Sequence, residues 1–369
     1  MPTNNPKISI LTPSYNHEKY VGSFIKSVLA QTEQDFELII VDDNSTDNNV
    51  KEIQKFNDER IILIQHKYNK GINAGLNSAF EKSRGKYIVF VASDDMLEEN
   101  HLEETTKYLD KHPEVNLYYC SLSLIDEQGS HISGREKHYI LNYNDKYEVL
   151  KDLFLKRNIL FSPGMALRRE AFEKIYPLNL SVIQYQDYIM NVELLIENEA
   201  HFSEKQLIKY RQSSQPTNIS AQTTTVLSRE VLEEEKVMNA FLKIKDIQTL
   251  KKIFGNDLKE FGEPVNETIP YFFGRMAFKS SKNQKRRWGY KIIMDFIADA
   301  ENLELLHKLY GFDFKQYLAL AQNLEGMSSG LIADFDFKIS RYKKLFNKFL
   351  VIAIILGVIV LGLLFGYFI

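Results

Sequence analysis

Two adjacent carboxylates, Asp94 and Asp95, follow an apolar run at residues 87–91. The run is β-branched and aromatic and carries no charge, which is typical of a strand buried on both faces. Acidic side chains at the carboxyl end of such a strand lie where open α/β sheets bind ligands. Their oxygen atoms suit Mg²⁺ or Mn²⁺, and such an ion in turn suits a bound diphosphate. A solvated turn that caps the following helix is the alternative interpretation.

A second acidic pair, Asp42 and Asp43, follows another apolar run. Apolar runs that predict strands alternate with helical patterns along the chain, and these runs are residues 8–11, 36–41, 60–65 and 87–91. The alternation predicts an α/β fold with a doubly wound, mostly parallel sheet. No G-x-G-x-x-G follows the first run, and no G-x-x-x-x-G-K-[ST] loop occurs in the sequence. A bound diphosphate would therefore have to be held by a metal ion rather than by a glycine-rich loop.

Composition excludes several other classes of site. The 46 basic and 49 acidic residues leave a net charge of −3, which gives no bulk attraction to nucleic acid. A single cysteine, Cys120, excludes an internal disulfide and a multi-cysteine metal site. The first residues of the chain lack the apolar core of a signal peptide, so none is expected.

Residues 349–369 carry no charged side chain and, as a helix, would span about 31 Å, the thickness of one bilayer core. They predict a single C-terminal transmembrane anchor in contact with membrane lipid. Four basic residues precede this run: Arg341, Lys343, Lys344 and Lys348. By the positive-inside rule, they predict that the rest of the chain lies in the cytoplasm. Gly362 and Gly366 form a small-xxx-small pair that could pack two such helices into a homodimer.

Five sequence blocks occur in a fixed order near the start of the chain. They are ISILTPSYN (8–16), SVLAQT (27–32), ELIIVDDNSTD (37–47), NKG with AGLN (69–71 and 74–77), and RGKYI leading to SDD (84–88 and 93–95). In this order they resemble the opening of family 2 glycosyltransferases. The resemblance implies a GT-A fold, a nucleotide-diphosphate sugar donor, a divalent metal, Mn²⁺ or Mg²⁺, and inversion at the anomeric carbon of the sugar.

The resemblance also implies roles for individual residues. Three residues after the first strand would line the pocket for the nucleotide base: Thr12, Pro13 and Tyr15. Asp43 would accept a hydrogen bond from the uracil N–H, Asp94 would reach the ribose, and Asp95 would ligate the metal. Two positions depart from the family pattern, because Ala92 stands where many relatives have a third acid and Leu76 where many have a basic residue.

Another acidic residue, Asp187, precedes a helical pattern at residues 189–196. A carboxylate at a helix start is favoured by capping and by the helix dipole, which is one interpretation. The other is a general base, because an inverting transfer needs a carboxylate that takes the proton of the acceptor hydroxyl. The family places an acid ahead of such a helix, usually in a Glu-Asp pair. Here Gln186 replaces the first acid and Asp187 keeps the second, so Asp187 is the predicted base.

These patterns predict three regions. Residues 1–222 would form the GT-A catalytic domain, with a nucleotide-binding half at 1–100 and an acceptor half at 101–222. Residues 223–348 would form a helical region, and residues 349–369 the transmembrane anchor.

Several further segments lead to expectations about exposure. Residues 201–210 predict an edge strand. Arg168 and Arg169 are interpreted as a solvated helix start, and Glu233, Glu234 and Glu235 as the solvated side of a helix. A basic cluster is interpreted as a solvated helix or loop or, alternatively, as a contact for anionic lipid headgroups: Lys279, Lys282, Lys285, Arg286 and Arg287.

The sequence thus predicts a metal-dependent inverting glycosyltransferase. It would move a sugar from a nucleotide-diphosphate sugar, a UDP-sugar, to a glycan or lipid-linked acceptor at the cytoplasmic membrane face, in surface polysaccharide or glycoconjugate assembly. One alternative is an inactive homologue that serves as a membrane-tethered scaffold, which Ala92, Leu76 and Gln186 leave open. The other is a sugar nucleotidyltransferase, although such enzymes carry a glycine-rich loop after the first strand.

Overall fold

A computed structural model describes residues 5–134, 139–212, 224–324 and 343. The chain forms two compact units, residues 1–310 and residues 311–369. The first unit contains the sheet and the helices that surround it. The described part of the second unit contains a short helix at Phe314–Leu320, whose first turn is capped by the side chain of Asp313.

An eight-stranded sheet organises the first unit. Its strands are β1 (Ile8–Ser14), β2 (Phe36–Asp42), β3 (Ile61–Gln65), β4 (Tyr87–Phe90), β5 (Met96–Leu97), β6 (Val115–Ile125), β7 (Ala166–Arg168) and β8 (Glu199–Arg211). They lie in the order β3-β2-β1-β4-β7-β6-β8-β5. The four strands predicted from apolar runs pair in parallel, which confirms the predicted α/β class. The second half is mixed, because β7 runs antiparallel to both of its neighbours and β5 is antiparallel to β8.

Helices alternate with these strands. They are α1 (Val21–Leu29), α2 (Asn49–Ile53), α3 (Ile72–Lys82), α4 (His101–Lys111), α5 (Lys146–Leu155), α6 (Arg169–Glu173) and α7 (Gln186–Glu197). The apolar stripe of α1 is buried in the core against the sheet, with Phe24, Ile25 and Val28 fully buried. Burial of such stripes in a common core holds each helix on the sheet and thereby fixes the loops that join strand to helix.

One glycine allows β4 to begin beside β1. A Cβ atom on Gly85 would lie 2.5 Å from the backbone nitrogen of Ser9, so no other residue fits without a backbone shift. The N–H of Gly85 donates to Ser9 Oγ at 2.7 Å, and that hydroxyl donates to the buried carboxylate of Glu37 in β2 at 2.7 Å. The strand that carries the acidic pair is therefore aligned with β1 and β2 by buried hydrogen bonds.

The helical region after the sheet begins at α8. Its helices are α8 (Thr224–Ala240), α9 (Ile247–Phe254), α10 (Ile269–Ala277), α11 (Asn283–Ile297) and α12 (Ala300–Tyr310), with Phe314–Leu320 as α13 in the second unit. The proposed boundaries at residues 222 and 348 stay predictions.

Strand β8 is not the edge strand that the sequence led us to expect. It pairs in parallel with β6 on one side and with the two residues of β5 on the other. The edge interpretation was wrong for the end of β8, where the two residues of β5 pair with Ile208 and Lys209, because β5 is too short to leave a readable pattern in the sequence.

The predicted transmembrane anchor at residues 349–369, with Gly362 and Gly366, lies outside the described residues. Among the helices of the described ranges, none is both long enough and apolar enough to cross a membrane.

Candidate active site

Asn16 ties together the loops that follow β1 and β2. Asn16 and Asn44 both adopt left-handed backbone conformations, with φ of 56° and 61°, which asparagine tolerates better than most residues with a side chain. The backbone N–H of Asn16 donates to Ser45 Oγ at 2.9 Å, and the Asn16 side-chain oxygen accepts from the N–H of Thr46 at 2.8 Å. The two loops are therefore fixed to each other at the carboxyl ends of adjacent strands.

The three residues predicted to line the base pocket differ in exposure. Thr12 is fully buried, and its hydroxyl has no hydrogen-bond partner in the described part of the chain. Pro13 is partly exposed, and the ring of Tyr15 is 43% exposed. The structure thus leaves Tyr15 the most open of the three to a ligand, while the contacts of all three with a base stay predictions.

Asp43 is almost entirely buried, and it uses both carboxylate oxygens inside the protein. Oδ1 lies 2.7 Å from His66 Nδ1 and accepts from the N–H of Lys70 at 2.8 Å, while Oδ2 accepts from the N–H of Gly71 at 2.7 Å. These bonds hold the loop that leads into α3. The contact of Asp43 with a uracil N–H stays a prediction. The existing bonds do not exclude it, because a carboxylate oxygen can accept more than one hydrogen bond.

A chain of buried hydrogen bonds connects the carboxyl ends of β1, β2 and the loop after β4. Asn49 Nδ2 donates to Asp42 Oδ1 at 2.7 Å and to Ser14 Oγ at 2.8 Å. Ser93 donates its hydroxyl proton to Ser14 Oγ at 2.8 Å, and Ser93 Oγ lies 2.7 Å from Nδ1 of His17. The network sets the position of Ser93 and hence of the acidic pair that follows it.

The two carboxylates of the acidic pair lie in different surroundings. The Asp94 side chain is 18% exposed, whereas Asp95 is only 1% exposed. Asp95 Oδ1 accepts from the backbone N–H of Arg211 at 2.8 Å, and Oδ2 has no partner among the described residues. Burial, together with the charge of Asp94, holds the pKa of Asp95 well above its usual range.

The acidic pair fits a divalent cation. A buried, unpartnered carboxylate oxygen is costly in its ionised form, and a cation beside it would remove that cost. Within the ranges that the structure describes, no three His, Cys, Asp or Glu side chains come together in a group that could hold a metal ion. Asp95 and its neighbour Asp94 would therefore supply few ligands, and phosphate oxygens of a bound donor would have to complete the coordination.

Asp187 is the second residue of α7, which places this acid at a helix start, as expected. Its pKa is also shifted from the usual value. Burial raises the pKa of Asp187 to about 6, against the effect of the Tyr188 and Asp187 N–H groups and the Asn158 amide. Asn158 Nδ2 donates to Asp187 Oδ2 at 3.0 Å. A carboxylate with a pKa close to neutral suits a general base. The side-chain oxygen of the adjacent Gln186 has no partner among the described residues.

Tyr210 relates the acidic pair to Asp187. Burial raises the pKa of the Tyr210 phenol, and the charges of Asp95, Asp94 and Asp187 add to the shift. One partly buried side chain near the end of β8 is thus within electrostatic reach of all three carboxylates. The charges of the acidic pair after β4 and of Asp187 in α7 thus act on the same tyrosine.

Members of three charged groups that were expected to be solvated are instead bonded within the fold. Arg168 donates to the carbonyl of Leu109 at 2.6 Å, and Arg169 donates to the carbonyl of Gly85 at 2.7 Å. Three further members of these groups are buried: Glu233, Glu234 and Lys285. Burial of Lys285 also rules out the alternative interpretation, contact with lipid headgroups, for this residue. A charge pattern along one helix could not disclose these partners, because they come from segments far away in sequence.

Sequence reasoning missed His17, Asn49 and Tyr210. His17 could have been found from its place two residues after Tyr15, in the first loop at the ligand end of the sheet. Tyr210 left no signal, because its role depends on the pairing of β8 with β5 and β6.

Comparison with known proteins agrees with this geometry. The glycosyl transferase family 2 model matches residues 9–176. An uncharacterized glycosyltransferase of Methanocaldococcus jannaschii is 31% identical over 215 residues, which cover 56% of this chain and 71% of that protein. Over 96 residues the chain is 41% identical to an Escherichia coli enzyme named UDP-Glc:alpha-D-GlcNAc-diphosphoundecaprenol beta-1,3-glucosyltransferase, covering 26% of this chain and 38% of that protein.

A solved structure shares the fold. The crystal structure of Staphylococcus aureus TarS 1–349 in complex with UDP aligns with a TM-score of 0.51 and 16% identity, over 86% of this chain and 90% of that one. At this level of identity the likeness shows the fold alone. Together with the match to the M. jannaschii protein, the family model identifies the chain: it belongs to glycosyltransferase family 2.

Proposed function

We propose that this enzyme is an inverting glycosyltransferase that uses a UDP-sugar as donor and a glycan or lipid-linked acceptor. The observation that carries the proposal is the partly buried Asp187, whose pKa is raised to about 6 and whose charge acts on the same tyrosine as the acidic pair. A single displacement at an anomeric carbon requires a general base close to the residues that hold the donor.

Asp187 takes the proton of the acceptor hydroxyl, and Asn158 holds the carboxylate through its amide at 3.0 Å. The hydroxyl oxygen then attacks the anomeric carbon on the face opposite the nucleoside diphosphate, which inverts the configuration. A bound Mn²⁺ or Mg²⁺ would supply neutralisation of charge on the departing diphosphate. Asp95 would hold that ion, and Asp94 would accept a hydrogen bond from the ribose.

Relatives support the choice of donor and acceptor classes. The name of the E. coli relative specifies UDP-glucose and a lipid diphosphate acceptor, and the TarS structure contains UDP. We extend these classes to this chain as a UDP-sugar and a glycan or lipid-linked acceptor, in the assembly of a surface polysaccharide or glycoconjugate.

We also propose that residues 349–369 anchor the enzyme in a membrane, with the rest of the chain in the cytoplasm. The support is the uncharged run and the four basic residues before it. After carbonate extraction, the full chain should remain in the membrane pellet, and protease added to the cytoplasmic side should degrade everything before the anchor. Release of the intact chain by carbonate would contradict this proposal.

UDP release by the full chain in detergent tests the enzymatic proposal. With Mn²⁺, a panel of UDP-sugars and membrane-derived acceptor, Asp187→Asn should reduce turnover by about 10²- to 10⁴-fold, as expected for the loss of a general base, while UDP affinity stays unchanged. Glu193→Gln is the matched control, because Glu193 lies on the same helix but pairs with Lys243 at 2.6 Å. Near-normal turnover in Asp187→Asn would reject Asp187 as the general base. If the wild type showed no turnover and no nucleotide binding, the inactive membrane-tethered scaffold would be favoured instead.

A further inference from the structure

The carboxylate of Glu233, on α8, accepts three consecutive backbone N–H groups. Its Oε1 accepts from Ile183 at 3.0 Å, and its Oε2 accepts from Gln184 and from Tyr185 at 2.8 Å each. The Glu233 side chain is only 6% exposed. Hydrogen bonds between a buried carboxylate and N–H groups are among the stronger ones in proteins, because the acceptor is charged.

These three N–H groups belong to the segment from which α7 starts. Tyr185 is the residue before the first turn of α7, and its own side chain makes no capping hydrogen bond. The first N–H groups of a helix lack partners within it, and the helix dipole favours a negative charge there. Glu233 therefore supplies, from a different region of the chain, an acceptor for the N-cap residue Tyr185 and for the two residues before it, and a negative charge in addition to that of Asp187.

The same segment is held at its other end by α3. Asn77 makes two hydrogen bonds with the backbone of Leu178, donating to its carbonyl at 3.0 Å and accepting from its N–H at 2.8 Å. Asn73 donates to the carbonyl of Asn179 at 2.7 Å. Residues 178–185 thus lie between a clamp from the donor half and a clamp from α8, and Asp187 follows two residues later.

Contacts beside Glu233 connect α8 to α7 through the start of α11. Glu234 lies 3.1 Å from Lys282 and 3.5 Å from Lys285. The buried Lys285 of α11 donates to the Tyr188 hydroxyl at 2.9 Å and to the carbonyl of Leu153 at 2.7 Å. The helical region therefore contacts the backbone just before Asp187 and the side chain just after it.

We propose that Glu233 is a positioning residue for Asp187, so that the helical region takes part in catalysis by fixing the start of α7. This role rests on the proposed function of Asp187 as the base. None of the Glu233 hydrogen bonds involves the loops after β1, β2 or β4. Loss of the Glu233 carboxylate should therefore displace the base and leave the donor site intact.

Steady-state kinetics of the full chain test the proposal. Glu233→Gln keeps the size of the side chain but offers one acceptor oxygen to three N–H groups. It should lower kcat about tenfold or more, because small misplacement of a catalytic group is costly, with the KM for the UDP-sugar unchanged. Glu235→Gln is the matched control, since Glu235 lies on the same helix, is half-exposed and pairs with Lys291. A wild-type kcat in Glu233→Gln would overturn the proposal. A rise in the KM for the UDP-sugar by the same factor as the fall in kcat would also overturn it.

A double mutant separates positioning from general destabilisation. If Glu233 acts through Asp187, adding Glu233→Gln to Asp187→Asn should cause no further loss of turnover. If Glu233→Gln reduced turnover in Asp187→Asn by the same factor as in the wild type, the proposal would be overturned. Should Glu233→Gln fail to fold, Glu233→Asp keeps the charge with a shorter reach, and it should give a kcat between those of the wild type and Asp187→Asn. A kcat equal to the wild type would then contradict the proposal.

Hydrogen exchange provides a readout that does not depend on Asp187 being the base. The amides of residues 183–185 should exchange at least tenfold faster in Glu233→Gln than in Glu235→Gln or the wild type. Unchanged exchange would overturn the clamp. Wild-type turnover in Asp187→Asn with faster exchange in Glu233→Gln would instead reject the base and keep the clamp.

Discussion

His17 Nε2 lies 4.0 Å from Asp94 Oδ2, which joins the loop after β1 to the acidic pair after β4. The orientation of the imidazole follows from its other nitrogen. Ser93 donates its single hydroxyl proton to Ser14 Oγ, so Ser93 Oγ accepts a hydrogen bond from Nδ1–H of His17 at 2.7 Å. Nε2 is thereby directed toward Asp94, the more exposed of the two carboxylates.

Replacement of His17 should therefore weaken donor binding. His17→Phe keeps a ring but removes the hydrogen bond to Ser93, so the residue before the acidic pair loses one of the bonds that fix it. We expect the affinity for UDP to fall about fivefold to tenfold, which corresponds to about one hydrogen bond, and titration calorimetry would measure it. His112→Phe is the control, because His112 is exposed and stacks on Tyr108. Equal affinities in the two variants would exclude His17 from the donor site.

The pH dependence of turnover should report Asp187. Burial raises the pKa of Asp187 to about 6, and a base acts only when it is ionised. The specificity constant kcat/KM should therefore rise as pH increases through about 6 and level off at higher pH. The Asn158 amide favours the ionised form, so Asn158→Ala should move this limb to higher pH. Asn116→Ala, on β6, serves as the control. If the limb did not move in Asn158→Ala, the pH dependence would not be due to ionisation of Asp187.

The same pKa predicts a trade of stability for activity. The unfolded pKa of an aspartate is near 3.8 and the folded pKa of Asp187 is about 6, so the stability contributed by this group is lost as pH rises from 3.8 to 6. Asp187→Asn, which resembles the neutral acid, should be more stable than the wild type at pH 7 by up to about 3 kcal/mol. Near pH 4 the difference should narrow to less than about 1 kcal/mol. Urea denaturation at both pH values would detect this, and a destabilised variant at pH 7 would contradict it.

Much of the donor half could be predicted from the sequence because its signals are local. Apolar runs that end in acids fix both the strand and the end at which the acids lie, as for Asp42, Asp43, Asp94 and Asp95. The burial of Glu233 could not be predicted, since a glutamate run on a helix looks the same whether it meets water or three N–H groups of a distant loop. Tyr210 was missed for a similar reason, because it pairs with Leu124, 86 residues earlier, and such pairing leaves no local pattern.

The environment of Asp95 leads to a prediction about metal-dependent binding. Asp95→Asn keeps an oxygen that can accept from the Arg211 N–H, so the fold should survive, but it removes the charge at the unpartnered Oδ2. In the wild type, Mn²⁺ should bind weakly without nucleotide and should raise UDP affinity, because two carboxylates supply few ligands. In Asp95→Asn that increase should disappear, as measured by titrating UDP affinity against Mn²⁺. Asp110→Asn is the control, since Asp110 pairs with Lys7 and Lys86. If Mn²⁺ still raised UDP affinity in Asp95→Asn, the metal would have to be held by Asp94, the other carboxylate of the pair.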